Sequence, residues 1–155
     1  MIHCGTLGSL LVVLVMNAPN QPQFLGREQE QLLGTWQVES VIHLFQGERQ
    51  KESETKFGKA RFTFHKENRL TVHLPKATGE LSYRLNPKSN PKTIDLTEAD
   101  KASGEEYTFQ GIYKFENDRL ILCYGSTDVE DRPTDFDVKG KRNVVLLVLK
   151  RTEQK

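Results

Sequence analysis

The sequence predicts a mainly β fold: a single antiparallel eight-stranded barrel with a short helix before its first strand. The chain has 155 residues, a length that suits one domain with one core. Apolar and polar residues alternate in one segment after another, at spacings of about ten residues, which is typical of antiparallel barrels and sandwiches. One helical pattern among so many strands excludes a doubly wound sheet. Eight strands suit a small closed barrel.

The predicted barrel domain spans residues 24–155 and begins with a short helix at residues 27–33. Glu28 and Glu30 lie near the start of this helix, where acidic side chains favour the helix dipole. Gly34 ends it. Leu32 and Leu33 are available to cover an end of the barrel.

The first predicted strand covers residues 36–44, and Val41 is the one residue that breaks its alternation. Its predicted inward face consists of Trp36, Val38, Ser40, Ile42 and Leu44. A long charged connection at residues 46–56 follows.

The next four strands are predicted at residues 60–64, 70–74, 81–85 and 93–97. The first two of them form a hairpin around the polar turn at residues 66–68. Pro75 ends this hairpin.

The last three strands are predicted at residues 107–115, 119–124 and 144–149. Gly111 interrupts an aromatic face and allows the chain to bend or a neighbouring side chain to approach. The turn at Asn117-Asp118 separates the first two of these three strands. The last strand is apolar on both faces, so we expect its outer side to be covered, with the helix at Leu32 as the candidate.

Residues 1–23 contain no Asp, Glu, Lys or Arg, which sets them apart from the rest of the chain. The apolar run at residues 10–16 is too short to cross a bilayer but fits a secretory signal peptide, with a cleavage site at Asn17-Ala18. Residues 1–23 are therefore predicted to be a signal peptide and linker of an exported protein without an integral membrane span. The alternatives are a mis-assigned start and a buried extra strand.

The sequence Gly34-Thr35-Trp36 at the first strand and Lys150-Arg151 at the last resembles the signature of lipocalin-type barrels. The resemblance implies that Trp36 seals one end of the barrel and that a basic side chain, here Arg151, lies across its indole. Gly34, Trp36 and Arg151 are thus expected to close the barrel.

Several segments together resemble the planctomycetal lipocalin-like domain family, small β-barrels without a known activity. They are Leu33-Gly34-Thr35-Trp36, residues 90–96, residues 111–113, residues 122–124, residues 132–136 and residues 147–151. The resemblance implies the fold and an envelope location, and it implies no substrate.

The composition favours no particular chemistry. Its 22 basic and 21 acidic residues nearly balance, so no field of one sign is expected to hold nucleic acid. No phosphate loop, nucleophile elbow or oriented Cys-His pair occurs, and no cofactor or catalytic residue is predicted. His65 and His73 could face each other across the hairpin, but two histidines do not complete a metal site. Cys123 is expected to be a small buried hydrophobe.

Two polar features remain. Arg132 is expected either to gate a barrel mouth or to pair with Asp128, Asp131 or Asp135 at the surface. Asp95 is expected to pair with a strand-edge amide or a nearby lysine.

Inward-facing residues with polar tips are the candidate ligand-binding residues, because such groups orient a ligand in an apolar cavity. They are Ser40, Tyr83, Tyr107, Tyr113 and Tyr124. The large inward aromatic residues could instead fill the barrel completely.

We therefore expect an exported, non-catalytic barrel that binds a small apolar or amphipathic molecule. The alternative is a filled barrel that contacts an envelope protein through its charged loops at residues 46–56 and 125–142.

Overall fold

The computed structural model describes residues 23–45, 48–49, 59–126 and 131–152. Within these ranges the chain forms one helix, α1, and nine strands. The elements are α1 Gln23–Leu32, β1 Gly34–Phe45, β2 Glu48–Arg49, β3 Arg61–Phe64, β4 Arg69–His73, β5 Thr78–Asn86, β6 Thr93–Ala99, β7 Glu106–Glu116, β8 Arg119–Gly125 and β9 Val144–Arg151. Residues 1–22 of the predicted signal peptide and linker (residues 1–23), most of the loop at residues 46–56, and Asp128 lie outside the described residues.

Eight of the strands form a closed antiparallel barrel, as predicted. From β3 to β9 each strand pairs with the next, β1 pairs with β3, and β9 returns to pair with β1. The closing register runs from Trp36↔Arg151 to Leu44↔Val144. The two-residue β2 pairs with the end of β1 and lies outside this ring.

The helix begins at Gln23 rather than at Arg27, so Gly26 lies inside it. Glycine inside a helix costs only about 1 kcal/mol relative to alanine and therefore does not mark a helix start. Leu32, the last residue of α1, is fully buried in the core. The helix thus covers the end of the barrel at which β1 begins and β9 ends; we call this the closed end.

A β-bulge in β1 corrects the predicted inward face of that strand. The register with β9 shifts between Val38 and Ser40, which leaves Glu39 as the extra residue. Because one extra residue reverses the alternation, Val41 is buried and Ser40 is exposed. The prediction that Ser40 faces inward was therefore wrong, and Val41, which seemed to break the pattern, belongs to the core.

The segment at residues 131–143 packs against the outer face of β7 and β8. Ile112 and Cys123 pair across these strands, and both are fully buried although they lie on the outward side. Phe136 of the covering segment lies under Lys114, whose ammonium is 5.0 Å from the ring centroid. In the same segment Pro133 is buried. The expectation that the helix covers the outer side of the last strand was wrong, because Leu32 of α1 packs into the core at the closed end.

Gly111 is required by close packing. A Cβ at this position would lie 2.9 Å from the Cys123 carbonyl oxygen and 2.9 Å from Tyr124 Cβ. We expect Gly111→Ala to lower the free energy of unfolding by about 1–3 kcal/mol, because the two strands must move apart. Urea unfolding followed by circular dichroism measures this change.

Gly26→Ala is the matched control, because nothing lies within 4 Å of the Cβ it would add. Alanine inside the helix should raise the free energy of unfolding by about 0.5–1 kcal/mol. An unchanged or increased stability of Gly111→Ala would contradict the close packing described for β7 and β8.

Candidate functional site

The closed end is held by contacts between Trp36, Arg151 and the last turn of α1. The Trp36 indole nitrogen donates to the Leu32 carbonyl at 2.8 Å. The Arg151 guanidinium lies 4.3 Å from the centroid of the Trp36 ring and donates to the carbonyls of Leu33, at 2.6 Å, and Gln31. These carbonyls have no partner inside the helix. Arg151 therefore contacts the indole and also supplies hydrogen-bond donors to the end of the helix. The contact with the indole is the one that the sequence signature predicts.

Gly34 allows this approach. Its φ is +109°, and a Cβ there would lie 3.0 Å from Arg151 Nη1. A side chain at this position would be strained by the backbone and would crowd the guanidinium.

The two most buried tyrosines, Tyr83 and Tyr113, also lie at the closed end. Their hydroxyls form hydrogen bonds with side chains of α1. Tyr113 donates to Glu28 Oε2 at 3.3 Å, and Glu28 pairs with Lys92 through its other oxygen. Burial, together with the negative charge of Glu28, raises the pKa of Tyr113 above its usual range. The phenol therefore remains a donor and anchors the first half of α1.

Tyr83 makes the second connection. Its hydroxyl donates to the His65 carbonyl at 3.1 Å, and Gln29 of the helix approaches the same oxygen at 3.5 Å. Gln29 also donates to Asn68 Oδ1 at 2.9 Å. Burial raises the pKa of Tyr83, although the Gln29 contact opposes this. Neither Tyr83 nor Tyr113 therefore offers a spare hydroxyl to a ligand.

The opposite half of the barrel contains several apolar side chains that are only partly buried. Side chains there pack against the core but keep part of their surface exposed. We call this group the cup; it consists of Val72, Leu74, Leu81, Phe109 and Tyr124. The register places them away from the helix: Tyr124, for example, lies near the end of β8 and pairs with Val145 at the start of β9.

Tyr124 is the polar group of the cup. Its ring makes an edge contact with Phe109, with 6.5 Å between centroids. In the part of the chain that the structure describes, its hydroxyl makes no hydrogen bond to another residue. Burial raises the pKa of Tyr124 above its usual range, so the hydroxyl is protonated and can donate.

Beside the cup lies an open groove of about 450 Å³, which we call the rim groove. It is lined by Thr78, Gly79, Glu80, Glu98, Ala99, Asp100, Lys101 and Tyr107. The groove and the cup share strands, because Leu81 pairs with Glu98 and Glu98 pairs with Tyr107. The Tyr107 hydroxyl donates to Glu105 at 2.6 Å. Tyr107 and Tyr124 thus lie in the open half, Tyr83 and Tyr113 at the closed end, and Ser40 on the outer surface.

A hydrogen-bonded row on the outer face was not predicted. His65 Nε2 lies 2.9 Å from Thr71 Oγ1, and Thr71 donates to Glu80 at 3.1 Å. Because Thr71 uses its proton on Glu80, His65 donates to Thr71 through Nε2. His73 pairs with Arg61 in the strand register, so the expectation that it faces His65 was wrong.

Cys123, a free cysteine, is buried. Burial raises the pKa of the Cys123 thiol to about 11, so it stays protonated at neutral pH. Among the described residues no cluster of three or more His, Cys, Asp and Glu side chains is placed to hold a metal ion. No helix in those same ranges is long and apolar enough to cross a bilayer.

Arg132 holds the covering segment to the barrel wall. It donates to Asp95 Oδ1 at 2.7 Å, to Gln110 Oε1 at 3.2 Å and to the Gly111 carbonyl at 2.7 Å. Asp95 also accepts from Arg84 at 3.0 Å. The expectation that Arg132 gates a mouth or pairs with Asp131 or Asp135 was therefore wrong, because the strands bring Asp95, a carboxylate distant in sequence, to it. The third expected partner, Asp128, lies outside the described residues.

Comparison of the chain with protein-family models, with curated proteins and with solved structures found no match.

The pairing of Asp95 predicts a specific pH dependence. Burial alone would raise the pKa of Asp95, but its bonds with Arg132 and Arg84 outweigh burial and lower it. Because the pKa of Asp95 is lower in the folded protein, its ion pairs stabilise the fold at pH values above the pKa of an unfolded aspartate, about 4. This stabilisation is lost as the pH falls below that value. We expect Asp95→Asn to reduce the free energy of unfolding by about 1–3 kcal/mol at pH 7.

This difference from the unmodified protein should shrink steadily from about pH 5 to pH 2 in urea unfolding experiments. Asp131→Asn, at an exposed position in the covering segment, should change stability by less than about 0.5 kcal/mol at either pH. An Asp95→Asn deficit that stayed constant down to pH 2 would contradict the assigned ion pair.

Proposed function

We propose that this protein is an exported, non-catalytic lipocalin-like barrel that binds a small apolar or amphipathic molecule in the cup. The observation that carries the proposal is the Tyr124 hydroxyl, a donor that has no partner among the described residues and lies among partly exposed apolar side chains. An unpaired polar group in an apolar recess is the arrangement by which a binding site orients its ligand. The apolar run at residues 10–16 and the resemblance to the planctomycetal lipocalin-like domain family support export.

Only the open half of the barrel is proposed to receive the ligand. The closed half contains the large buried side chains of Trp36, Phe64, Tyr83 and Tyr113. An eight-stranded barrel has room for its own side chains or for one small ligand. A molecule that covers the cup gains about 25 cal/mol for each Å² of apolar surface removed from water.

The alternative, contact with an envelope protein through the charged loops, has less support. The described part of the second loop, from residue 131, is held against the barrel wall by Arg132. Most of the first loop lies outside the described residues.

The experiment compares Tyr124→Phe with Tyr113→Phe in a displacement assay. The apolar fluorescent probe N-phenyl-1-naphthylamine is bound to the protein and then displaced by 1-decanol. We expect Tyr124→Phe to weaken decanol binding about three- to tenfold, because one hydrogen bond contributes about 0.5–1.5 kcal/mol.

Tyr113→Phe is the matched control: it removes the same hydroxyl at the closed end, so it should lower stability and leave decanol affinity unchanged. The proposal would be overturned if the protein bound neither probe nor decanol, or if Tyr113→Phe weakened decanol binding as much as Tyr124→Phe.

A further inference from the structure

Ser126 carries a second unpaired hydroxyl, two residues after Tyr124 in the chain. Its Oγ atom is buried and makes no hydrogen bond. Among the residues that the structure describes, it is the one fully buried side-chain oxygen or nitrogen without a partner. Folded proteins seldom leave a buried hydroxyl unbonded, because the group loses its hydrogen bonds to water and gains none in return. Ser126 therefore lacks a partner that a ligand could supply.

The backbone places Ser126 on the inward side of the barrel wall. Its amide donates to the Asn143 carbonyl at 2.7 Å, and this bond extends the pairing of β8 with β9 by one residue pair. Because alternate residues of a strand share a face, Ser126 lies on the same face as Tyr124 and the fully buried Leu122. It is the inward position that follows Tyr124 towards the open end.

Tyr124 and Ser126 thus form a pair of neighbouring hydroxyls at the cup, which we call the hydroxyl pair. Burial raises the pKa of Tyr124 above its usual range, so its phenol is a donor. The Ser126 hydroxyl can donate or accept. Together they suit a head group with an oxygen atom that accepts hydrogen bonds.

The surroundings of the hydroxyl pair favour a head group without charge. The side chains of the cup, Val72, Leu74, Leu81, Phe109 and Tyr124, are all uncharged. An ionised head group would lose its water here and find no counter-ion among these side chains, which is costly even when hydroxyls bond to it. An uncharged oxygen loses much less hydration and can bond to both hydroxyls.

We propose that Ser126 is a second ligand-binding residue and that the hydroxyl pair bonds an uncharged oxygen head group, an alcohol or an ester, of a molecule whose apolar part occupies the cup. The inference rests on the proposed function and adds the class of the head group. Tyr124 donates to the ligand oxygen, and Ser126 bonds to the same head group. The site thereby discriminates against fatty acids and fatty amines, which are ionised at neutral pH.

The first experiment compares 1-decanol, methyl decanoate, decanoate and decylammonium in displacing N-phenyl-1-naphthylamine from the full chain at about pH 7, where the acid and the amine are ionised. We expect decanol and methyl decanoate to bind at least about tenfold more tightly than either ion. Decanoate or decylammonium binding as tightly as decanol would overturn the head-group class and leave the proposed function intact. Failure of all four molecules to bind would overturn both.

The second experiment tests the residue with Ser126→Ala. We expect this variant to weaken decanol binding about three- to tenfold. Combined with Tyr124→Phe, the loss should be smaller than the product of the two separate losses, because both residues bond to one head group. Without ligand, Ser126→Ala should not lower the urea concentration at the midpoint of unfolding, since the hydroxyl it removes has no partner in the fold.

Ser82→Ala is the matched control, because it removes a serine hydroxyl that is exposed on the outer face of β5. It should change neither decanol affinity nor the unfolding midpoint. Unchanged decanol binding in Ser126→Ala, or a lower midpoint without ligand, would overturn the role of Ser126 and leave that of Tyr124 standing.

Discussion

The contact of Arg151 with Trp36 and the end of α1 is the interaction on which the rest of the structure depends. A barrel closes when its first and last strands pair, and this contact fixes their register at Trp36↔Arg151. The same guanidinium donates hydrogen bonds to the carbonyls of Gln31 and Leu33, which have no partner inside the helix. One side chain thus joins the first strand, the last strand and the helix, and Gly34 is the residue that gives it room.

Closure at one end gives the two halves of the barrel different roles. At the closed end the hydroxyls of Tyr83 and Tyr113 form hydrogen bonds with the helix or with the carbonyl of His65, so they are already used within the protein. In the open half the apolar side chains stay partly exposed, and the hydroxyl of Tyr124 has no partner within the described residues. The proposed binding role follows from this asymmetry, since a hydrogen-bond donor remains available where apolar surface is accessible.

The alternation of apolar residues was enough to predict all eight barrel strands, because a strand with one buried face repeats every two residues. It could not predict the bulge at Glu39, because no residue type at this position marks a bulge. The extra residue turns Ser40 outward and changes the face of every residue after it in the strand. The alternation also predicts whether a tyrosine faces inward or outward, but it does not predict at which end of the barrel the tyrosine lies. The sequence pattern therefore did not distinguish Tyr113 from Tyr124. The partner of Arg132 was missed for a related reason: Asp95 reaches it through strand pairing across the sheet, and nothing local encodes that contact.

The four tyrosines of the chain allow a direct test of the two-ended barrel, because two lie at each end. The measurement is ¹⁹F nuclear magnetic resonance of protein labelled with 3-fluorotyrosine, assigned with single Tyr→Phe variants and titrated with 1-decanol. The account predicts that the resonances of Tyr124 and Tyr107 shift while those of Tyr83 and Tyr113 stay in place. Shifts confined to Tyr83 and Tyr113, or equal shifts at all four, would contradict it.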